Sequence, residues 1–178
     1  MREALVLFAA GVVALALESA LLAHLPFAAV PAFSLLFPIA AALLLGPAAG
    51  LVVSTLLGFG ADMLSGALLG QHAFLRIGEF VLVRTATGQF DLVRPLPFAL
   101  FAFAVALADA AGSAALIQFF LGAFEPEVRG LALVGLRALT TAAAAPAVLA
   151  LARRITAWGS GEGDARREMR LETKRPVL

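Results

Sequence analysis

The chain has 178 residues, 62% of them hydrophobic and 14% charged, and a mean hydropathy of +0.98. These values lie far outside the range of soluble domains and describe an integral membrane protein. The absence of cysteine excludes disulfides, thiolate metal sites and cysteine nucleophiles, and a net charge of +1 offers no basic face to nucleic acid.

Six apolar segments follow one another, at roughly 4–24, 33–46, 48–65, 68–84, 96–121 and 131–153. Lipid offers no partner to a bare backbone, and no alternating ten-residue strand pattern is visible. The expectation is therefore an all-α integral membrane protein of six transmembrane helices, not a barrel. The first segment follows Arg2 and could pass for a signal peptide, but Glu18 interrupts it and no clear cleavage site follows, so it is read as a first transmembrane helix.

Segments two and three are short, with Pro38 inside the second and only Gly46-Pro47 between them, which leaves a re-entrant pair or a broken hairpin open. Further breaks fall at Pro26 and Pro31, at Ser65-Gly66, from Arg84 to Pro97 and from Glu125 to Gly130. With six crossings, Arg2, Arg84, Arg94, Arg153 and Arg154 share the side of both termini, and Arg129 stands opposite beside Glu125 and Glu127. The positive-inside rule makes the side of the termini cytoplasmic. Residues 1–158 form the expected six-helix transmembrane domain. Residues 159–178, of mixed charge and without an apolar face, form an expected flexible cytoplasmic tail, with docking through Arg166, Arg167, Arg170, Lys174 and Arg175 as the alternative.

Ionisable groups inside the apolar segments are Glu18, Asp62, Arg76, Glu79, Asp109 and Arg137, with His24 and His72 near outer ends. Each costs on the order of 2.5 to 3.5 kcal/mol by insertion scales, so each calls for a partner. His72, Arg76 and Glu79 are spaced i, i+4, i+7 and share one helical stripe. Counting residues from the segment ends puts Arg76 and Asp109 near the midplane, which predicts pairing of Arg76 with Asp109, Glu79 or both. By the same count Arg137 reaches the depth of Glu18 and Asp62, with Thr140 and Thr141 on its face. These charges serve either as ion pairs fixing helix order or as the lining of a pocket or partner groove. A proton relay would need uncompensated acids in order, and cations stand close by. Gly58 and Gly78 predict close helix approach, and Gly66 and Gly70 a tight outer turn.

No HExxH, Gly-rich phosphate loop or Ser/His/Asp spacing is present, so neither an enzyme nor a cofactor is expected.

The stretch "ADMLSGALLG" (61–70), preceded by "GFG" and followed by another helix, resembles the central motif of the bacterial rod shape-determining MreD family. "ALADAAGSAALIQFF" (106–120) is similar to that family's fifth helix, and "FEPEVRG" (124–130) to the external loop after it. Asp62, Ser65, Gly66, Gly70 and Asp109 match family positions; Arg76 and Glu79 depart from them, where apolar or small residues are usual. The resemblance implies a non-enzymatic component of the cell-elongation (rod) complex in the bacterial inner membrane. It further implies binding to the single-span protein MreC, and action with MreB, a RodA-type glycosyltransferase and a class B penicillin-binding transpeptidase in lateral peptidoglycan synthesis and cell-shape control. The fold it implies resembles the substrate-binding subunits of energy-coupling-factor transporters. The rival reading is therefore a small-molecule, vitamin-type transporter subunit using Arg76, Glu79 and Arg137 in a cavity. Membrane lipid is an expected contact under either.

Overall fold

The computed structural model describes residues 1–66, 68–89, 92, 94–122 and 128–159. The charged tail and residues 123–127 of the expected outer loop lie outside the described residues. Among the described residues every regular element is helical: α1 (Arg2–His24), a 3-10 turn at Phe27–Ala29, α2 (Phe33–Leu44), α3 (Pro47–Ser65), α4 (Gln71–Ala86), α5 (Pro95–Leu121) and α6 (Val128–Gly159). The last helix begins three residues before the segment read from sequence and runs six beyond it.

Proline and glycine place the boundaries. Pro47 and Pro95 occupy the first turns of α3 and α5, where the missing N–H has no intrahelical acceptor to lose. Gly66 and Gly122 end α3 and α5 with left-handed backbones at φ 62° and 63°, a conformation that costs a residue without a Cβ nothing. Gly70, at φ 92°, starts α4 the same way. Together Gly66 and Gly70 give the tight turn expected between segments three and four.

Helix α2 is apolar on every side, and its residues Leu35 to Ala42 are all buried. A helix without a polar face must be enclosed. It contacts α1, α3, α4 and α6, while the other five close a ring around it in the order α1, α3, α4, α5, α6. Leu7, Leu36, Ile39, Leu57, Val83 and Phe98 fill the space between. The outward face carries Leu5, Val13, Val52, Phe74, Leu100 and Leu139, all exposed, as a lipid-facing surface requires. Gly159 lies against Glu3, so both ends of the described bundle meet on one face, the terminal face. The turns at 25–32 and 66–70 lie on the other, the turn face.

Among the described residues five helical stretches are long and apolar enough to cross a membrane: α1, Phe27–Leu44, α3, α5 and α6 from Arg129. Helix α2 alone, at about 18 Å, is too short and meets the length only together with the 3-10 turn before it. The fourth segment, not the third, is the other short one: α4 spans about 24 Å against a core of about 30 Å. The doubt expected at segments two and three thus holds for the second and passes from the third to the fourth. Polar residues at His72, Arg76 and Glu79 and the early turn at Thr87 limit α4.

A Cβ on Gly58 would stand 2.7 Å from the Ala73 Cα and 2.8 Å from the Arg76 Cγ, so α3 and α4 meet where this side chain is missing. Gly78 is different: nothing lies within 4 Å of its would-be Cβ, and the close packing expected there is not found. Gly58→Val will lower stability in mild detergent by about 1–3 kcal/mol through overpacking, whereas Gly78→Ala will change it by less than about 0.5 kcal/mol. Thermal unfolding of the two purified variants against the parent chain separates them; equal midpoints would contradict the packing described.

Candidate functional site

Two carboxylates, each on the last turns of an upward helix, close the N-terminus of the helix that follows. Glu18 on α1 accepts a hydrogen bond from the Ser34 N–H at 2.7 Å and another from the Ser34 hydroxyl at 3.3 Å, at the start of α2. Asp62 on α3 takes the N–H groups of Gly70 at 3.0 Å, His72 at 2.7 Å and Ala73 at 3.2 Å at the start of α4, while the Gln71 N–H goes to the Leu68 carbonyl. The residues at the N-cap positions themselves, Ala32 and Gly70, supply no side-chain cap. The preceding helix provides it instead, and the helix dipole adds to the attraction. Both acids are buried.

Asp62 also faces His72 Nδ1 at 3.0 Å. The ring donates in this contact when its proton is on Nδ1. Ser65 donates back to the Asp62 carbonyl at 3.3 Å. Asp62, Ser65, Gly66 and Gly70 thus form one built turn, and Asp62 takes no part in the Arg137 cluster expected from depth alone. The N–H groups of α4 arrive at its carboxylate first, because the 66–70 connection is so short.

Arg137 instead meets Glu18, Nη2 to Oε1 at 2.6 Å, and its guanidinium stacks over the Phe27 ring at 4.1 Å. One helical turn on, Thr141 accepts the Ala32 N–H at 3.0 Å and donates to the Arg137 carbonyl at 2.7 Å. Thr140 lies 3.1 Å from the Ala28 carbonyl. The 25–32 connection is thereby tied to α6 by main-chain bonds as well as by charge.

Arg76, 1% exposed, is the largest fully buried side chain. It pairs with Glu79 on its own helix through Nη1 and with Asp109 of α5 through Nη2 at 3.2 Å. Both partners considered from depth are therefore present. The stripe of His72, Arg76 and Glu79 divides: His72 turns to α3, the other two to α5.

A cavity of about 720 Å³ lies among these helices, lined by residues of all six. Glu18, Ser34 and Thr141 lie toward the start of α2, His72 and Ser65 toward the turn face, and Arg76, Asp109 and Arg137 on the walls. The size suits a small molecule. Of the ionisable lining, Asp109 and Arg137 each keep 19% of their side chains exposed, and His72 21%. Among the described residues no three His, Asp or Glu side chains gather as a metal site would need.

One functional contact is absent from the sequence reading. Arg84, counted there only as an interfacial positive charge, donates to the Leu45 carbonyl at 2.8 Å and so closes the C-terminus of α2, where a cation is favoured. The signal is a lone arginine on the last turn of a helix, and nothing in sequence says whose carbonyl it meets.

Comparison with known protein families, with curated proteins and with solved structures finds no match to this chain.

Replacing Arg76 by Leu leaves Glu79 and Asp109 as buried acids without a cation and will cost about 3–5 kcal/mol. Adding Glu79→Gln and Asp109→Asn to Arg76→Leu will restore most of the loss. Extraction yield and thermal unfolding of the single and triple variants check this; a single variant as stable as the parent would remove the ion-pair account.

Proposed function

We propose that the protein is an MreD-type, non-enzymatic membrane component of the bacterial cell-elongation complex. In this reading it binds MreC and supports lateral wall synthesis with MreB, a RodA-type glycosyltransferase and a class B transpeptidase. One observation carries it: the residues of the resembling stretch act as a single structural device. Asp62 is taken up by three N–H groups and His72, Ser65 by the Asp62 carbonyl, and Gly66 and Gly70 by their left-handed backbones. A motif engaged wholly in shaping a turn suits a scaffold, which needs a fixed surface and no reacting group.

The gathering of Arg2, Arg84, Arg94, Arg153 and Arg154 toward the terminal face supports a cytoplasmic placing of both termini in the inner membrane. The fold proposed from the resemblance is that of energy-coupling-factor substrate-binding subunits.

The cavity favours a second reading, a substrate-binding subunit of a small-molecule transporter. Against it stands the turn face, where the 66–70 connection is too short to fold over a ligand.

A mild-detergent pull-down of the tagged protein from its native membrane, with quantitative mass spectrometry, will recover MreC and the wall-synthesis pair at near-stoichiometric levels. Recovery of an ATPase pair with a membrane coupling subunit, and no MreC, would replace the scaffold with the transporter.

A further inference from the structure

Charges of both signs line the cavity. Arg76 faces two carboxylates, Glu79 and Asp109, of which Asp109 shares the cavity lining with it. The Oδ1 atom of Asp109 is buried toward Arg76, and 19% of the Asp109 side chain stays exposed.

Glu18 is shared between Arg137 and the N-terminus of α2, a full and a partial positive charge. Arg137 is thus incompletely neutralised, and it lines the cavity with 19% of its side chain exposed. No hydrogen bond or ion pair joins Asp109 and Arg137 among the described residues.

A part-exposed carboxylate and a part-exposed guanidinium that line one open volume without pairing to each other suit a zwitterion. The rest of the lining is apolar: Leu15, Leu22, Leu35, Leu64, Ile117 and Val134. A volume of about 720 Å³ far exceeds a bare polar group of a few heavy atoms and falls within the range of sites that hold drug-sized molecules. The space opens at the turn face, where Ala23, Leu64 and Ser65 are exposed.

We propose that this cavity binds an amphiphile bearing a phosphoammonium zwitterion, its ammonium at Asp109, its phosphate at Arg137 and its apolar body against Leu15, Leu22, Leu64 and Ile117. The ammonium pairs with the Asp109 carboxylate. The phosphate meets a guanidinium, whose planar fork suits it. The inference rests on the cavity alone and is independent of whether the protein is a scaffold or a transport subunit.

The test uses the purified full chain, delipidated in detergent and titrated by native mass spectrometry. The probes are phosphatidylethanolamine, phosphatidylglycerol of the same acyl chains, and O-phosphoethanolamine as a soluble competitor. Phosphatidylethanolamine will bind at least about tenfold more tightly than phosphatidylglycerol, and Asp109→Asn will remove that preference while leaving phosphatidylglycerol binding unchanged. Asp109→Asn keeps the shape of the side chain and leaves Arg76 its bond to Glu79. A second variant, Ala114→Phe, fills the cavity without touching an ion pair and will abolish the same preference.

Competition by O-phosphoethanolamine at concentrations similar to the lipid would support the site and identify a free solute as its occupant; failure of that competition would support the bilayer as the source. Equal binding of the two lipids would overturn the proposal. So would a preference that survives both variants, which would mark annular lipid on the outer surface.

Discussion

A helix that begins within an apolar bundle leaves its first N–H groups without water, and α2 begins there. Everything around its first turn answers that constraint. Glu18 reaches across from α1 to the Ser34 N–H, Thr141 takes the Ala32 N–H from α6, and Arg137 offsets the charge that Glu18 brings in. Unpaired N–H groups in a low-dielectric interior cost about 1–3 kcal/mol each. Two helices, α1 and α6, are thereby committed to fixed rotations about α2. Arg84 completes the arrangement at the far end of α2 through the Leu45 carbonyl.

The same solution appears a second time. Asp62 stands to α4 as Glu18 stands to α2, an acid on the last turns of one helix closing the start of the next. The second version is tighter because the connection is shorter, and it accepts three N–H groups where the first accepts one. Between the two capped starts lies the buried Arg76. Its stem runs against α3 where Gly58 leaves room, and its head joins α4 to α5. Packing and charge here are one feature: without the missing Cβ at position 58, the guanidinium would not sit at the depth of Asp109.

Much of this was legible in sequence, and for stated reasons. Uninterrupted apolar runs gave the helices, and the seven-residue spacing from His72 to Glu79 gave the stripe. Residue counting brought Arg76 to Asp109 and Glu79, and Arg137 to Glu18. Asp62 was misplaced because depth ranks partners by height alone, whereas the nearest donors were backbone N–H groups of a turn whose tightness needs three dimensions. A capping rule that inspects the residue at the cap finds Ala32 and Gly70 and reports nothing, since both acids come from another helix. Gly78 was assigned to packing on type alone, although a glycine on a helix facing outward has no neighbour to approach. The enclosure of α2 was foreshadowed by its lack of a polar face, but a short apolar run reads alike as a buried helix and as a weak crossing.

Helix α4 is shorter than α3 and α5, its neighbours in the outer ring. In a bilayer of about 30 Å the lipid beside it must thin or its flanking groups must stretch to the interface, at a cost of fractions of a kcal/mol per Å of mismatch. The strain is confined to one side of the molecule, where Phe74, Ile77, Val81 and Leu82 face outward. A protein with such a side does not drift in the membrane as an even cylinder. It carries a dimple in the surrounding leaflet, and membrane of lower thickness, or a neighbour able to cover that side, relieves it.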